Sequence, residues 1–133
     1  MRGLTLVLAA ATLAALAGCG RTATPADELP SGEKLADAWA EETHLSAAGR
    51  GGAAIFATAS CLNCHTYRGS GSKNLGAPDL TNEGDKDHGI AWLTKYVSDP
   101  SRFGDTTMPR FQALGRKNLH LLAVFLHESG ESH

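Results

Sequence analysis

Cys61-Leu62-Asn63-Cys64-His65 constrains this chain more than any other stretch of its 133 residues. Two thiols three residues apart, and an imidazole four residues after the first, share one face of a helical turn. A fold that holds them must keep that face available to a single partner. A redox dithiol of the thioredoxin kind would need a βαβ neighbourhood, and no stretch here alternates apolar and polar residues as a half-buried strand does. A structural zinc site would need four ligands, and the chain, with three cysteines in all, has no second pair to offer. Aromatic residues make up only 6% of the chain, so a core built from side chains alone would be thin. A large apolar group seated against the Cys-x-x-Cys-His turn would help to fill it.

The start of the chain places that turn outside the cytoplasm. Arg2 supplies a short positive region, Leu4 to Leu16 is an unbroken run of Leu, Ala, Val and Thr, and Leu16-Ala17-Gly18-Cys19 follows. Thirteen apolar residues fall short of the ~20 that a helix needs to cross a bilayer, so residues 1–18 read as a signal peptide. "LAGC" resembles the end of a bacterial lipoprotein signal, in which the cysteine becomes the acylated first residue of the mature chain, here Cys19. The alternative is ordinary cleavage near Ala15 or Ala17, which leaves Cys19 as a free thiol. Residues 19–46 then form a tether on a lipid anchor at the periplasmic or extracytoplasmic side of the membrane, and residues 47–133 form the domain.

Charge supports this division. Between Arg21 and Ser46 there are six acidic and two basic residues, whereas from Ala47 onward nine basic residues face eight acidic ones. A formal net charge of −2 with no Lys/Arg-rich run excludes nucleic acid as a partner. Within the tether, residues 31–45 place Leu35, Ala38, Trp39 and Leu45 near helical spacing behind Ser31 as N-cap. Either Trp39 docks this segment on the domain or it is a frayed, partly helical linker.

The domain itself reads as all-α, short helices separated by loops. "AAIFATASC" is a helix that delivers Cys61. "RGSGSKNLGAPDLTNEG" is a long loop. "HGIAWLTKYVSD" is a helix with Ile90, Leu93 and Val97 on one face and Trp92 and Tyr96 on its flank, capped by Asp87 and stopped by Pro100. "RKNLHLLAVFLHE" closes the chain with a stripe of Leu119, Leu122, Phe125 and Leu126.

In an exported chain, the Cys61 and Cys64 thiols at this spacing can add to the two vinyl groups of one haem, with the His65 imidazole beneath the iron. The second axial ligand emerges by elimination. Met108 is the one methionine outside the signal peptide, and it lies in a loop where Pro109 biases it towards an extended conformation. A soft thioether favours ferrous iron, and His/Met ligation raises the potential of an electron-transfer haem. Core packing is the ordinary role of a lone methionine, and His88, His120 and His127 are the alternative ligands.

With these residues in view, the chain resembles the monohaem class I c-type cytochromes from about Gly49 to Leu126. Within them it is most similar to the cytochrome c domain fused to subunit II of some bacterial haem–copper oxidases. "CLNCHTYRGSGSKNLGAPDLT", "DPSRFGDTTMPRF" and "LLAVFL" carry the likeness. The resemblance implies one covalent haem c wrapped by short helices and loops. It also implies that the Pro78 carbonyl receives the His65 ring N–H, an outer contact that orients the imidazole. Gly52 and Phe56 would cross the last helix near Phe125. Trp92, or Tyr96 one turn later, would cover a haem propionate, with plain core packing the alternative for both. Arg68 would neutralise a propionate, or else stand in solvent. The copper domain and membrane helices of the oxidase subunit have no counterpart here, and Tyr96 stands where those domains often carry tryptophan.

The expectation is therefore a membrane-tethered, single-haem electron carrier rather than an enzyme, monomeric, in a respiratory or photosynthetic chain. Its partners would be membrane-bound redox proteins, with a quinol–cytochrome c reductase as donor and a terminal oxidase as acceptor. Arg102, Arg110, Arg116 and Lys117 would form a mildly basic docking rim around the Met108 loop. A dedicated haem subunit of a periplasmic oxidoreductase complex and a haem-based ligand sensor are the alternatives.

Overall fold

A computed structural model describes residues 31–131; the expected signal peptide, Cys19 and the first part of the expected tether lie outside the described residues, as does His133. Four helices frame it: α1 (Gly32–Thr43), α2 (Ala47–Thr58), α3 (Ile90–Ser98) and α4 (Gly115–Glu128). Among the described residues no helix is long and apolar enough to cross a membrane.

Helix α2 packs against both α1 and α4, and α3 packs on the other part of α4. The α2–α4 crossing is close because Gly52 carries no side chain: a Cβ there would stand 2.6 Å from Phe125 Cβ and closer still to the Leu121 carbonyl oxygen. The expected meeting of Gly52 and Phe56 with Phe125 is thus present, with the Phe56 and Phe125 rings 5.4 Å apart. The stripe expected on α4 is buried in full, and Ala123 and Val124 join it. A side-chain clasp holds the same pair of helices at their ends. The Ser46 hydroxyl caps α2 by accepting from the Gly49 amide at 3.0 Å and donates to Glu128 Oε1 at 2.6 Å.

The segment left open between docked helix and frayed linker is a docked helix. Ser31 caps α1 as the sequence suggests, its hydroxyl accepting from the Lys34 amide. Trp39 is 3% exposed, with its ring centroid 4.9 Å from Tyr67, 6.1 Å from Phe56 and 6.2 Å from Phe125. Among the described residues the packed body therefore includes α1 as well as the residues from 47 on, and Tyr67, just before the expected long loop, is fully buried at its centre.

Two further expectations are corrected. The chain is not free of strands: β1 (Thr66–Tyr67) pairs antiparallel with β2 (Ser70–Gly71) in a small hairpin. Its two turn residues, Arg68 and Gly69, both have positive φ (46° and 78°), the requirement of a tight hairpin turn that glycine meets readily. Two-residue strands are too short for alternation to show. Asp87 does not cap α3. It adopts a left-handed conformation at the end of the 3-10 turn Glu83–Lys86, and α3 begins after Gly89 with no side-chain cap. Helix α2 also starts earlier than "AAIFATASC" suggests and stops before Cys61.

Candidate functional site

The Cys61–His65 stretch is turned into place by a break. Helix α2 ends at Thr58, Ser60 takes a left-handed φ of 69°, and Cys61–Asn63 form a 3-10 turn. The Cys64 and His65 amides both donate to the Cys61 carbonyl, at 3.2 and 2.9 Å, so the turn is closed by its own backbone. Cys61 and Cys64 are free thiols. Burial pushes the Cys61 thiol up to about 11, which keeps it protonated at neutral pH.

Cys61, Cys64, His65, Pro78, Trp92, Tyr96 and Met108 all line one cavity of about 730 Å³. That volume lies in the range of pockets that enclose a small organic ligand or cofactor. The site thus gathers residues from four separated parts of the chain.

His65 is oriented by its expected partner. Its Nδ1 lies 2.9 Å from the Pro78 carbonyl oxygen. A carbonyl only accepts, so Nδ1 carries a hydrogen, and in the neutral ring the lone pair is on Nε2. Asp79 in turn holds the Pro78 segment. Its carboxylate accepts from the Thr66 hydroxyl and, at 2.9 Å, from the Thr81 amide, while the Leu80 amide donates to the Thr66 carbonyl at 2.9 Å. The Thr66 hydroxyl first, then Thr81, hold the Asp79 carboxyl below the usual carboxylate range.

On the Met108 side the arm is pinned by Asp105. One carboxylate oxygen accepts from the Thr107 and Met108 amides at 2.9 and 3.1 Å, and the other accepts from the Tyr96 hydroxyl at 2.8 Å. The Phe111 amide donates to the Val97 carbonyl at 3.3 Å, which closes the far end of the arm on α3.

The aromatic flank of α3 forms a stack: His88 on Trp92 at 4.0 Å and Trp92 on Tyr96 at 4.9 Å, with Phe103 edge-on at 5.4 Å from Trp92. Core packing and a place beside the cavity are thus one arrangement for Trp92 and Tyr96. Glu83, absent from any sequence expectation, is 7% exposed and lines the same cavity. Its two oxygens take the Lys86 ammonium at 2.7 Å and His88 Nδ1 at 3.0 Å, which compensates the buried charge. A Glu three residues from a Lys reads as an ordinary surface pair, so only the fold reveals this carboxylate as interior.

Arg68 is not among the residues that line the cavity; it pairs with Glu42 of α1. Of the alternative ligands, His120 is exposed and outside the cavity lining, and His127 Nδ1 lies 3.2 Å from the His88 carbonyl, also outside it. His88 alone of the three lines the cavity.

Arg102 and Arg110 both reach Asp99, at 3.6 and 3.2 Å, and Phe103, next to Arg102 in the chain, is 42% exposed. Arg116 and Lys117 are exposed at the start of α4. Among the described residues no group of three or more His, Cys, Asp or Glu side chains is arranged to hold a metal ion. The chain matches no family model, no curated protein and no solved structure.

Proposed function

We propose that this protein is a monohaem c-type cytochrome of the class I kind, an electron carrier held at the membrane by a lipid on Cys19. One observation carries the reading. His65, its Nδ1–H committed to the Pro78 carbonyl, has its lone pair on Nε2 in the neutral ring, in a cavity that Cys61, Cys64 and Met108 also line.

The residues fit the group. The cavity lining is mainly apolar, as a porphyrin face requires, and its volume of about 730 Å³ is that of a cofactor site. The donor set is one imidazole and one thioether, too few to chelate a bare ion but suited to an iron whose other four ligands come from a macrocycle. Cys61 and Cys64 would hold the macrocycle covalently through their sulfurs, and His65 and Met108 would supply the protein ligands of its iron. When bound, haem supplies a one-electron Fe(III)/Fe(II) couple.

The chain's own residues do the rest. The Pro78 carbonyl holds the imidazole in one tautomer and raises its basicity. Trp92, Leu93 and Val97 exclude water from the interior wall, and a dry, low-dielectric surround favours the less charged state of a redox centre. Lys86 and His88, which line the cavity with Glu83, would meet acidic substituents of the macrocycle. Donor and acceptor would be membrane-bound redox proteins, a quinol-oxidising reductase and a terminal oxidase, docking transiently on the face that bears Phe103 and its arginines.

The test is an absorption spectrum of the ferric and ferrous protein with a redox titration, wild type beside Met108→Ala. The expected result is covalently retained haem, a weak far-red sulfur-to-iron band in the ferric wild type, and loss of that band with a lower potential in the variant. A wild type without covalent haem, or a variant with an unchanged spectrum, refutes the reading.

A further inference from the structure

Three groups converge on one carboxylate beside the cavity, and no residue type or spacing in the sequence marks it. Asp105 lies three residues before Met108, in a loop without helix or strand. A methionine in such a loop has three rotatable bonds and a flexible backbone beneath it, so nothing intrinsic holds its sulfur at one point. Here the backbone is held. The Thr107 and Met108 amides both donate to Asp105 Oδ1, which closes residues 105–108 into a turn. Oδ2 takes the Tyr96 hydroxyl at 2.8 Å, and Tyr96 sits on α3, stacked on Trp92 at 4.9 Å. A rigid helix is thereby connected to the methionine arm through a single side chain.

We infer that Asp105 is the positioning residue of Met108: by joining the Thr107 and Met108 amides to the α3 hydroxyl of Tyr96, it holds the thioether over the cavity and sets how readily Met108 yields its place to another ligand. This rests on the haem reading above. Asp105 and Met108, both half-buried, line the cavity, while Thr106 of the turn between them is exposed. The Asp105 carboxylate accepts all three hydrogen bonds, one of them donated by the Tyr96 hydroxyl.

Imidazole added to the haem-loaded ferric protein competes with Met108 for iron, so its apparent affinity rises with the fraction of molecules in which the arm has swung away. Hydrogen bonds to a charged acceptor are the stronger kind, and losing the shared acceptor of two amides is expected to raise imidazole affinity by about tenfold in Asp105→Ala. Asp105→Asn keeps an oxygen for both amides and presents an N–H to the Tyr96 oxygen, so it should stay within about threefold of wild type. Tyr96→Phe removes the link to α3 alone and should give a rise of about threefold. Asp99→Ala is the control. It removes a carboxylate from the same segment, one that pairs with Ser101, Arg102 and Arg110 and makes no bond to the Met108 turn.

A rise in Asp105→Ala, near wild-type affinity in Asp105→Asn and no change in Asp99→Ala support the assignment. It is overturned if Asp105→Ala binds imidazole like wild type, if Asp99→Ala rises as much, or if Asp105→Asn behaves as Asp105→Ala. Should Asp105→Ala lack native circular dichroism, Tyr96→Phe decides, and no change there overturns the assignment. Met108→Ala separates the two levels. If it binds imidazole no more tightly than wild type, Met108 is not the ligand and the haem reading fails at that point. If it binds more tightly while the Asp105 and Tyr96 variants do not, only the role of Asp105 falls.

Discussion

Neighbouring glycines on α2 should respond to the same substitution with opposite signs. A Cβ on Gly52 would stand 2.6 Å from Phe125 Cβ and 2.7 Å from the Leu121 carbonyl carbon, with the carbonyl oxygen nearer still. Ordinary contact begins at 3.4 Å, so Gly52→Ala must drive α2 and α4 apart by roughly 1 Å or more, against backbone that has no rotamer to yield. Overpacking of this kind costs about 1–3 kcal/mol, and more when the obstacle is backbone. Alanine returns about 1 kcal/mol of helix propensity, so the net loss should be about 2 kcal/mol. At Gly51 the nearest atom to an added Cβ is Leu121 Cδ1 at 3.5 Å, an ordinary contact with a flexible methyl. Gly51→Ala therefore collects the propensity without the clash and should stabilise by about 0.5–1 kcal/mol. Urea unfolding followed by far-ultraviolet circular dichroism separates the two, since the midpoints should move in opposite directions at similar slope. If Gly52→Ala is as stable as wild type, or if both variants fall together, the close crossing of α2 and α4 is wrong.

Two further perturbations address how the site is supported. Trp39→Ala empties the aromatic cluster that joins α1 to Phe56, Tyr67 and Phe125, and should cost about 3–5 kcal/mol; hydrogen exchange should show the α1 amides losing protection before those of α2 and α4, and unchanged protection would mean that α1 is held by something else. Asp79→Asn tests the support of Pro78 through pH. The folded-state carboxyl of Asp79 is depressed, so its stabilising effect is complete above the unfolded value near ~3.9 and is lost as pH falls through the folded value. Urea midpoints measured from pH 6 down to pH 3 should fall more steeply for wild type than for Asp79→Asn, by about 1 kcal/mol at most for so exposed a group, and parallel curves would rule out the linkage.

Much of the helical frame was legible in the sequence because each helix carries its own signals. Ser31 caps α1, Leu119, Leu122, Phe125 and Leu126 mark the buried stripe of α4, and Ile90, Leu93 and Val97 mark the inner face of α3. The hairpin was not legible, since two-residue strands have no period and a left-handed arginine at its turn is held by tertiary contacts. The Asp87 cap failed for a related reason. A residue of the right type stood near the right place, but the 3-10 turn before it claimed Asp87 as its own end.

The sequence by itself determined the groups that this chain brings together at one turn: two thiols and an imidazole fixed by covalent spacing. Those are local facts, set by bonds and by the short reach of a helical turn. Only the tertiary structure decided which side chains share a space. It brought Glu83 and His88 to the cavity, sent Arg68 to Glu42, drew Trp39 into the core and made Asp105 the junction between Tyr96 and the Met108 arm. Each of these depends on the angle at which packed elements meet, and that angle follows from close contacts such as Gly52 against Leu121, between residues far apart along the chain.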